Sequence, residues 1–367
     1  MNLDSHKLAY HKERVEAFLR GERVAPITVD CSFSTACNYK CSYCFGQFQK
    51  QKGFEHHNLP RQVIIDFLTD CAEIGVKGVS IVSDGESTMN PYLYDMIGYG
   101  KDQGLSMALA TNGYKLDMRY EQKLLKCLDY LRFNISAGEE AAYNEIHRGP
   151  KKSFVTVDNT IKRLVEVKRR YGYPCTIGMQ AVMMTQPLFT GQIEPLAEMA
   201  LRLGVDYLVY KHCSDSEGKL GIKYDEYEHM VGELFEAAAM STEETQITAK
   251  WGKLSEGADR SYDRCLGPML QLQISGSGLV APCGMLFEDK FKEYHIGNIR
   301  DTRFIEMFNS DRYWEVMAKL ASPDFPIEIC GSLCLQHRVN GALFKAQETG
   351  STPWEWKYGN ILHKNFL

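Results

Sequence analysis

The sequence lacks long hydrophobic runs. None of its apolar segments approaches the roughly 20 residues that a membrane-spanning helix needs. The first residues are polar and charged, without the apolar core of a secretory signal. Positive charge is not in excess either, since the formal net charge is -5. We therefore predict a cytoplasmic protein without a membrane or nucleic-acid partner.

Cysteine, in contrast, is plentiful. The chain has 12 cysteines in 367 residues. Cytoplasmic thiols are kept reduced, so this number indicates metal or redox chemistry rather than disulfides. Four of these cysteines lie on apolar helix faces or in and beside strands, and we predict that they are small core residues: Cys31, Cys71, Cys127 and Cys175.

Short β-branched or aromatic runs alternate with segments of helical periodicity from about residue 26. This alternation is typical of repeated βα units and a parallel sheet, built either as a partial barrel or as a doubly wound sheet. Six strands are predicted, at residues 27–33, 78–84, 105–111, 130–136, 176–184 and 206–212.

Polar residues stand at the ends of these strands. In parallel α/β folds the ligand binds at the carboxyl ends of the strands, so we predict that these residues converge on one site. They include Asp84, Asn112, Asn134, Ser136, Lys211, His212 and Cys213.

The chain after the sixth strand has a different pattern. Residues 216–260 contain helix formers and no strand of the earlier type, which predicts a helical bridge. Two short β runs then flank Gly276 and Gly278, which predicts a β-hairpin. A helix is predicted from about Thr302 to Leu320.

Cys37, Cys41 and Cys44 have the spacing CxxxCxxC directly after the first predicted strand. A 4Fe-4S cluster ordinarily has four cysteine ligands, so three leave one iron open to a small molecule with nitrogen and oxygen donors. The alternative is a zinc site, which requires a fourth Cys or His nearby. The spacing and the position after a strand favour the iron-sulfur cluster.

The segment CNYKCSYCF, which contains these three cysteines, resembles the cluster motif of the radical S-adenosylmethionine (SAM) superfamily. The resemblance covers about residues 26–215 and implies an α/β fold with a partial (β/α)6 barrel. It also implies that SAM binds the open iron and is reductively cleaved to a 5'-deoxyadenosyl radical, which abstracts hydrogen from a substrate carbon. A flavodoxin- or ferredoxin-type reductant would supply the electron.

The resemblance implies SAM contacts at particular residues. Tyr43 stands where family members contact the adenine, and Asn134 and Ser136 stand where they contact the ribose. Arg148 occupies a position near the SAM carboxylate, with an ordinary surface salt bridge as the alternative.

Two further contacts to SAM are predicted at the ends of the second and third strands. Asp84, Gly85 and Glu86 stand where the family has a Gly-Gly-Glu run that binds the methionine amino group. Aspartate replaces the first glycine of that run here. Asn112, at the end of the third strand, is the other predicted contact.

A second cysteine group lies in the final third of the chain. Four thiolates are the number that closes a 4Fe-4S cluster, and a structural zinc ion is the alternative. With Gly278 and the segment HIGNIRDTRFIEMF, this group resembles the SPASM or Twitch auxiliary-cluster domain, and one cluster fits the shorter Twitch type. Its members are Cys265, Cys283, Cys330 and Cys334.

Four regions are therefore predicted along the chain. They are an N-terminal helical extension (1–25), the partial barrel (26–215), the helical bridge (216–260), and a small α+β auxiliary-cluster domain with a β-hairpin and a C-terminal tail (261–367).

The end of the sixth strand carries the candidate catalytic residues. A thiol at Cys213 could return a hydrogen atom to a substrate radical and so give epimerisation, with simple burial as the alternative. If the auxiliary cluster instead takes an electron and a base takes a proton, the outcome is dehydrogenation. Lys211 and His212 are candidates for the base or for binding a polar substrate.

The predicted substrate is a small polar molecule: a sugar, an aminocyclitol or a nucleotide-linked sugar. Peptide-modifying relatives often carry a leader-binding domain before the barrel, and the segment before Ile27 is too short for one. A peptide-modifying maturase is the second hypothesis. A non-catalytic iron-sulfur electron carrier or scaffold is the third, and it leaves the polar strand ends without a role.

Overall fold

A computed structural model describes residues 6–44, 58–82, 84–184, 189–215, 220–222, 224–256, 260–330, 334–359 and 361–367. The described chain divides into two compact units. The first unit contains the described residues of 37–48 and 109–258, and the second contains those of 5–36, 49–108 and 259–367.

The described residues form a mixed α/β protein. Its strands are β1 (Thr28–Cys31), β2 (Gly78–Ile81), β3 (Ser106–Thr111), β4 (Leu128–Asn134), β5 (Thr176–Met183), β6 (Tyr207–His212), β7 (Gln246–Ala249), β8 (Gln271–Ile274), β9 (Leu279–Ala281) and β10 (Gly297–Asn298). Its α-helices are α1 (Lys12–Leu19), α2 (Arg61–Ile74), α3 (Leu93–Asp102), α4 (Glu121–Cys127), α5 (Glu140–His147), α6 (Ser153–Tyr171), α7 (Ile193–Leu203), α8 (Val231–Ala239), α9 (Trp251–Glu256), α10 (Phe304–Asn309), α11 (Asp311–Ala321) and α12 (His337–Thr349).

The six predicted βα strands are all present, as β1 to β6. Helices follow them, and glycine ends several of these helices because it adopts the left-handed conformation without strain. Gly75 (φ 94°) ends α2, and Gly204 (φ 66°) ends α7. None of the helices in the described residues is long and apolar enough to span a bilayer.

The first unit contains four parallel strands in the order β4-β5-β6-β7. Every residue of β5 is buried, as expected for a parallel strand that is covered on both faces. The Tyr210 hydroxyl donates to the Ile193 carbonyl on α7 (2.6 Å), which shows that this face of β6 points toward a helix. Because side chains alternate along a strand, Tyr207 and Lys211 lie on the opposite face.

Strand β7 corrects the prediction for residues 216–260. That segment contains the predicted helix, as α8, but it also contains a strand that pairs in parallel with β6. A strand of four residues is too short to produce a recognisable alternation of polar and apolar residues. Strand β7 pairs with the edge of β6 that β5 leaves unpaired, and this edge exists only in the folded sheet.

The second unit contains strands in the order β10-β9-β8-β1-β2. Strand β1 pairs in parallel with both β2 and β8, and β8 and β9 form the predicted antiparallel hairpin. A core cluster in this unit joins α1, the segment before β8, and α12; it includes Leu8, Val15, Phe18, Ile27, Leu266, Leu270, Val339 and Leu343.

The helix predicted from Thr302 to Leu320 is divided in two. Ser310 has extended backbone angles (φ -77°, ψ 153°) and separates α10 from α11. Its side chain accepts a hydrogen bond from the Tyr313 N–H, so it caps the amino end of α11. The prediction of one continuous helix was therefore wrong, because a serine inside an apolar helical pattern does not show whether it caps or continues a helix.

An ion pair with a buried carboxylate joins the start of α10 to α2. Asp70 is 0% exposed, and its carboxylate accepts hydrogen bonds from the Arg303 guanidinium and from the Ile305 N–H. We expect Asp70→Ala to lower the free energy of unfolding by about 2 kcal/mol, because it removes charged hydrogen bonds at a buried position. Chemical denaturation would measure this change. Asp66→Ala is the matched control, since Asp66 contacts Arg303 only at 4.0 Å, and it should cost less than about 0.5 kcal/mol.

Candidate functional site

The loop with Cys37, Cys41 and Cys44 is held against the carboxyl end of α5. The N–H of Lys40 donates to the His147 carbonyl (3.3 Å), and the N–H of Ser42 donates to the Ile146 carbonyl (2.8 Å). The last carbonyls of a helix have no partner within the helix, so they are available to such a loop. The Ser42 hydroxyl also lies 3.4 Å from the Met184 sulfur, directly after β5. The cysteine loop is thus fixed to two elements of the first unit.

The three loop cysteines influence one another electrostatically. Burial raises the pKa of the Cys41 thiol, and negative charges on Cys44 and Cys37 raise it further. Three thiolates this close together are unfavourable unless a cation compensates them, so the donor set fits a metal centre. In the described residues no three Cys, His, Asp or Glu side chains are close enough to hold a single metal ion. The ligands of a four-iron cluster bind different iron atoms and do not need to meet at one point.

His147 contacts the cysteine loop and was missed in the sequence. Its ring is 1% exposed and lies against the Tyr143 ring at 4.3 Å between centroids. The Nδ1 atom is 3.3 Å from the Cys41 sulfur and 3.5 Å from the Tyr43 hydroxyl. No local pattern distinguishes a buried histidine that contacts a metal ligand from one that only fills the core, so sequence reasoning had no signal for it.

The protonation of His147 follows from its other nitrogen. The Ser136 N–H donates to Nε2 (2.9 Å), so Nε2 carries no proton. Burial lowers the pKa of His147 to about 3, which keeps the ring neutral. The single ring proton is therefore on Nδ1, where it can be donated to the Cys41 sulfur.

Removing this donor should change the redox potential of a cluster bound by the loop. Hydrogen bonds to ligand sulfurs stabilise the more negative, reduced state, so we expect His147→Phe to lower the midpoint potential. A tenfold decrease in the equilibrium constant for reduction corresponds to a midpoint potential lower by about 60 mV for a one-electron couple. An EPR-monitored redox titration measures the shift. Tyr143→Phe is the control, because the Tyr143 hydroxyl contacts Tyr39 (3.0 Å) rather than a cysteine, and equal potentials in the two variants would contradict this role.

The predicted SAM contacts of the first unit lie near this histidine or at the strand ends. Tyr43 is hydrogen-bonded to Ser136, whose hydroxyl also accepts from the Val182 N–H (3.1 Å). Asn134 accepts a hydrogen bond from the Gln180 amide (3.2 Å). The structure therefore joins Tyr43 and Ser136 directly, and their roles toward SAM stay predictions.

Asn112 and Arg148 occupy different environments. The Asn112 amide donates to the Asn38 side chain (2.9 Å), which lies in the cysteine loop between Cys37 and Cys41. Arg148 is exposed at the end of α5 with a positive φ of 48°, and its Nε donates to the Glu145 carbonyl (3.3 Å). Asn112 is thus connected to the loop, whereas the contact of Arg148 with the SAM carboxylate stays a prediction.

Asp84, Gly85 and Glu86 belong to the second unit. The Asp84 carboxylate accepts hydrogen bonds from the Ser275 hydroxyl (2.9 Å) and the Gly276 N–H (2.7 Å). The Glu86 carboxylate accepts from the N–H (3.0 Å) and the hydroxyl (2.8 Å) of Thr88. Aspartate at the first position therefore connects this turn to the hairpin. Binding of the methionine amino group by these three residues stays a prediction.

Gly85 is required by its backbone and by its surroundings. Its φ is +71°, and a Cβ atom at this position would overlap the Ser34 carbonyl. A side chain would therefore both strain the turn and displace the segment after β1. The glycine in the middle of the predicted run has a structural reason that does not depend on any ligand.

Lys211 and His212 point in opposite directions. Alternation along β6 places His212 on the same face as Tyr210, which faces α7. The His212 ring is hydrogen-bonded to the backbone of Lys253 and packs at 5.7 Å from the Tyr227 ring. His212 therefore lies on the helix-facing side of β6. Lys211 lies on the opposite side of the sheet, which we call the inner face. The structure does not bring these two candidates together.

The Cys213 thiol is buried, and a negative charge on Cys44 in the cysteine loop affects its pKa. Its N–H donates to the Met183 carbonyl (2.9 Å) and to the Tyr227 hydroxyl oxygen (3.0 Å), which fixes the backbone after β6. Burial raises the pKa of this thiol to about 12, and a charge on Cys44 contributes in the same direction. At neutral pH Cys213 therefore carries its hydrogen, which a hydrogen-atom donor requires.

The auxiliary cysteines form a second group in which the charge on one thiol affects the pKa of another. Burial raises the pKa of Cys265, and charges on Cys334, Cys330 and Cys283 raise it further. Burial likewise raises the pKa of Cys330 to about 12. Four thiols that repel one another as thiolates, two of them buried and two half-buried, fit a cationic centre, as three do in the cysteine loop. The four cysteines predicted from the sequence are thus brought together within the second unit.

Tyr262 and His337 support one member of this group. The Tyr262 hydroxyl is hydrogen-bonded to Cys334 and lies 2.9 Å from the His337 Nδ1. Tyr262 is 5% exposed, and burial raises its pKa, so it stays protonated. Its hydroxyl can therefore support a ligand sulfur, as residues outside the ligand shell commonly do.

Comparison with known families decides what the two cysteine groups belong to. The model of the radical SAM superfamily matches residues 31–181, a span that contains Cys37, Cys41 and Cys44. This chain contains a radical SAM domain. The SPASM model, an iron-sulfur cluster-binding domain, matches residues 265–334. This radical SAM enzyme thus has a SPASM domain, and the match begins and ends at auxiliary cysteines.

Two curated proteins match most of this radical SAM chain. The AdoMet-dependent heme synthase of Methanosarcina barkeri is 25% identical over 332 residues, which cover 86% of this chain and 90% of that protein. The tungsten-containing aldehyde ferredoxin oxidoreductase cofactor-modifying protein of Pyrococcus furiosus is 24% identical over 76% of this chain and 80% of that protein.

Solved structures show the same fold. Streptococcus suis SuiB bound to S-adenosylmethionine matches with a TM-score of 0.62 and 15% identity, over 84% of this chain and 72% of that chain. At this identity the likeness concerns the fold alone. Together with the two family matches, it confirms the predicted α/β fold of a barrel-like radical SAM core with a C-terminal auxiliary-cluster domain.

Proposed function

We propose that this radical SAM enzyme holds one 4Fe-4S cluster at Cys37, Cys41 and Cys44 and a second at the auxiliary cysteines. We further propose that it abstracts a hydrogen atom from a small polar substrate, a sugar, an aminocyclitol or a nucleotide-linked sugar, and epimerises the carbon. One observation supports the reaction type: Cys213 is a buried, protonated thiol whose pKa responds to Cys44. A flavodoxin- or ferredoxin-type reductant in the cytoplasm is the proposed electron source.

Different residues of the first unit would bind the cluster and transfer the hydrogen atom. When bound, the cluster and SAM would supply a radical able to remove hydrogen from an unactivated carbon. The loop cysteines would hold three irons, and the Nδ1–H of His147 would donate a hydrogen bond to the Cys41 sulfur. Cys213 then gives its S–H hydrogen atom to the substrate radical, so the S–H bond breaks and a C–H bond forms. The proposed flavodoxin- or ferredoxin-type reductant would then return one electron to the sulfur radical, and solvent one proton, before the next turnover.

Dehydrogenation is the second reaction outcome. It requires the substrate radical to lose an electron and a proton instead of receiving the hydrogen of Cys213. The four thiols of the SPASM domain favour this outcome, since a cluster that they held could accept the electron. The product distinguishes the two outcomes, because epimerisation leaves the oxidation state of the substrate unchanged.

A peptide substrate is the second substrate hypothesis. SuiB has also been solved with the precursor peptide SuiA, and that structure matches this chain with a TM-score of 0.61 at 15% identity. This likeness concerns the fold and does not carry the substrate. The polar inner face of β4, β5 and β6, with Asn134, Gln180 and Lys211, supports a small polar molecule.

Formation of 5'-deoxyadenosine tests the proposed function. Anaerobically reconstituted protein, incubated with dithionite and SAM, is expected to release 5'-deoxyadenosine and methionine. Chromatography of the quenched reaction measures both. A reconstituted protein that carries iron and sulfide but releases neither compound would instead support the electron carrier or scaffold hypothesis.

A further inference from the structure

Two cations share the inner face of the first unit. Arg132 on β4 pairs with Gly178 on β5, and Val182 on β5 pairs with Lys211 on β6. Paired residues of a sheet point to the same side, and residues two apart on one strand do so as well. Arg132 and Lys211 therefore project from the same face, which is the face opposite to Tyr210 and α7.

These cations are not neutralised by the described part of the chain. Neither Arg132 nor Lys211 forms an ion pair with a described carboxylate, and the Arg132 Nε atom is buried without a hydrogen-bond partner there. A buried guanidinium nitrogen without an acceptor is unfavourable. An anion bound at this face would supply the acceptor.

The local charge is positive beyond these two residues. Burial and the charges of Arg132, Lys253 and Lys250 lower the pKa of Lys211 to about 7. Two cations on one face, with further positive charge near Lys211, favour a ligand with more than one negative charge. Phosphoryl groups meet this requirement, and the planar fork of arginine matches their oxygens.

The position fits the reaction site. Lys211 lies two residues before Cys213, so the two side chains leave the chain in similar directions. We propose that Arg132 and Lys211 bind a phosphoryl group of the substrate, which makes the substrate a phosphorylated or nucleotide-linked sugar. This inference rests on the proposed function and narrows its substrate class.

Calorimetric titration of the full protein with inorganic pyrophosphate tests this site. We expect wild-type protein to bind pyrophosphate and to bind malonate, a dicarboxylate, more weakly. Arg132→Gln and Lys211→Gln should each weaken pyrophosphate binding by about tenfold or more, because each removes a charged hydrogen bond. Arg132→Lys keeps the charge and should lose less. The control is Arg119→Gln, because Arg119 is 83% exposed and pairs with Asp117, and this variant should bind like wild type.

Three results would overturn the inference: no pyrophosphate binding to wild-type protein, binding as tight as wild type in both glutamine variants, or malonate binding at least as tight as pyrophosphate. Circular dichroism identifies a variant that does not fold, in which case the other variant decides. The titration needs no reduced cluster, so it is independent of the 5'-deoxyadenosine assay. A protein that releases 5'-deoxyadenosine but does not bind pyrophosphate refutes only the phosphoryl site. The converse result refutes only the proposed function.

Discussion

Cys41→Ala is expected to abolish 5'-deoxyadenosine formation, by at least about a thousandfold. The variant removes one of three thiolates on the loop, and two ligands do not hold a cluster with a single open iron. The Cys41 sulfur also lies 3.3 Å from the Nδ1 donor of His147, which would stabilise a thiolate there. The measurement is 5'-deoxyadenosine per chain over time after anaerobic reconstitution with dithionite.

Cys127→Ala is the matched control for this experiment. Cys127 ends α4 in the same unit and is likewise half-buried, but it lies outside both cysteine groups. It should form 5'-deoxyadenosine like wild type. The Cys41 variant should retain about half of the iron, because the auxiliary cysteines are intact. Normal 5'-deoxyadenosine release by the Cys41 variant would contradict the assignment of the loop.

Cys213→Ala is expected to abolish epimerisation while SAM cleavage continues. In deuterium oxide the wild-type reaction should place one solvent deuterium on the epimerised carbon, because a thiol hydrogen exchanges with solvent before it is transferred. The alanine variant has no such hydrogen, so deuterium incorporation should fall to background. Mass spectrometry of the product from a substrate that wild type accepts measures the difference.

Cys175→Ala provides the comparison for Cys213. Both thiols are buried in the first unit, at 0% and 1% exposure, but Cys175 precedes β5 at the opposite end of the strands. Its loss should cost stability and leave deuterium incorporation intact. If the product is oxidised and its yield is the same in the Cys213 variant, then dehydrogenation is the reaction and Cys213 is not a hydrogen donor.

Local patterns in the sequence were sufficient for most of the fold. The strands β1 to β6 alternate with helices because apolar periodicity changes from two to 3.6 residues, and this change is visible without a structure. The hairpin of β8 and β9 was visible through Gly278, whose φ of +93° is the turn conformation that glycine permits. The sequence did not predict strand β7, which depends on pairing with β6, or the helix break at Ser310, which depends on a cap.

The candidate site divides in the same way. Cysteine spacing indicated the first group because its three members lie on one loop, and the second group was indicated by four cysteines in the final third of the chain together with the resemblance to a SPASM or Twitch domain. His147 and Arg132 were missed because each acts through a partner that is far away in sequence. His147 reaches Cys41 over 106 positions, and the significance of Arg132 appears only when register places it on one face with Lys211. His212 shows the opposite error, since it stands beside Lys211 in the sequence but faces the helices.

Mössbauer spectroscopy of iron-57-reconstituted protein, with and without SAM, shows whether the cysteine loop holds a cluster with one open iron. We expect about eight iron atoms per chain in two 4Fe-4S clusters, with SAM changing the signal of a single iron. That iron would be the one that Cys37, Cys41 and Cys44 leave without a protein ligand. Bound zinc without labile sulfide, or a spectrum that SAM leaves unchanged, would rule out an open iron at this loop.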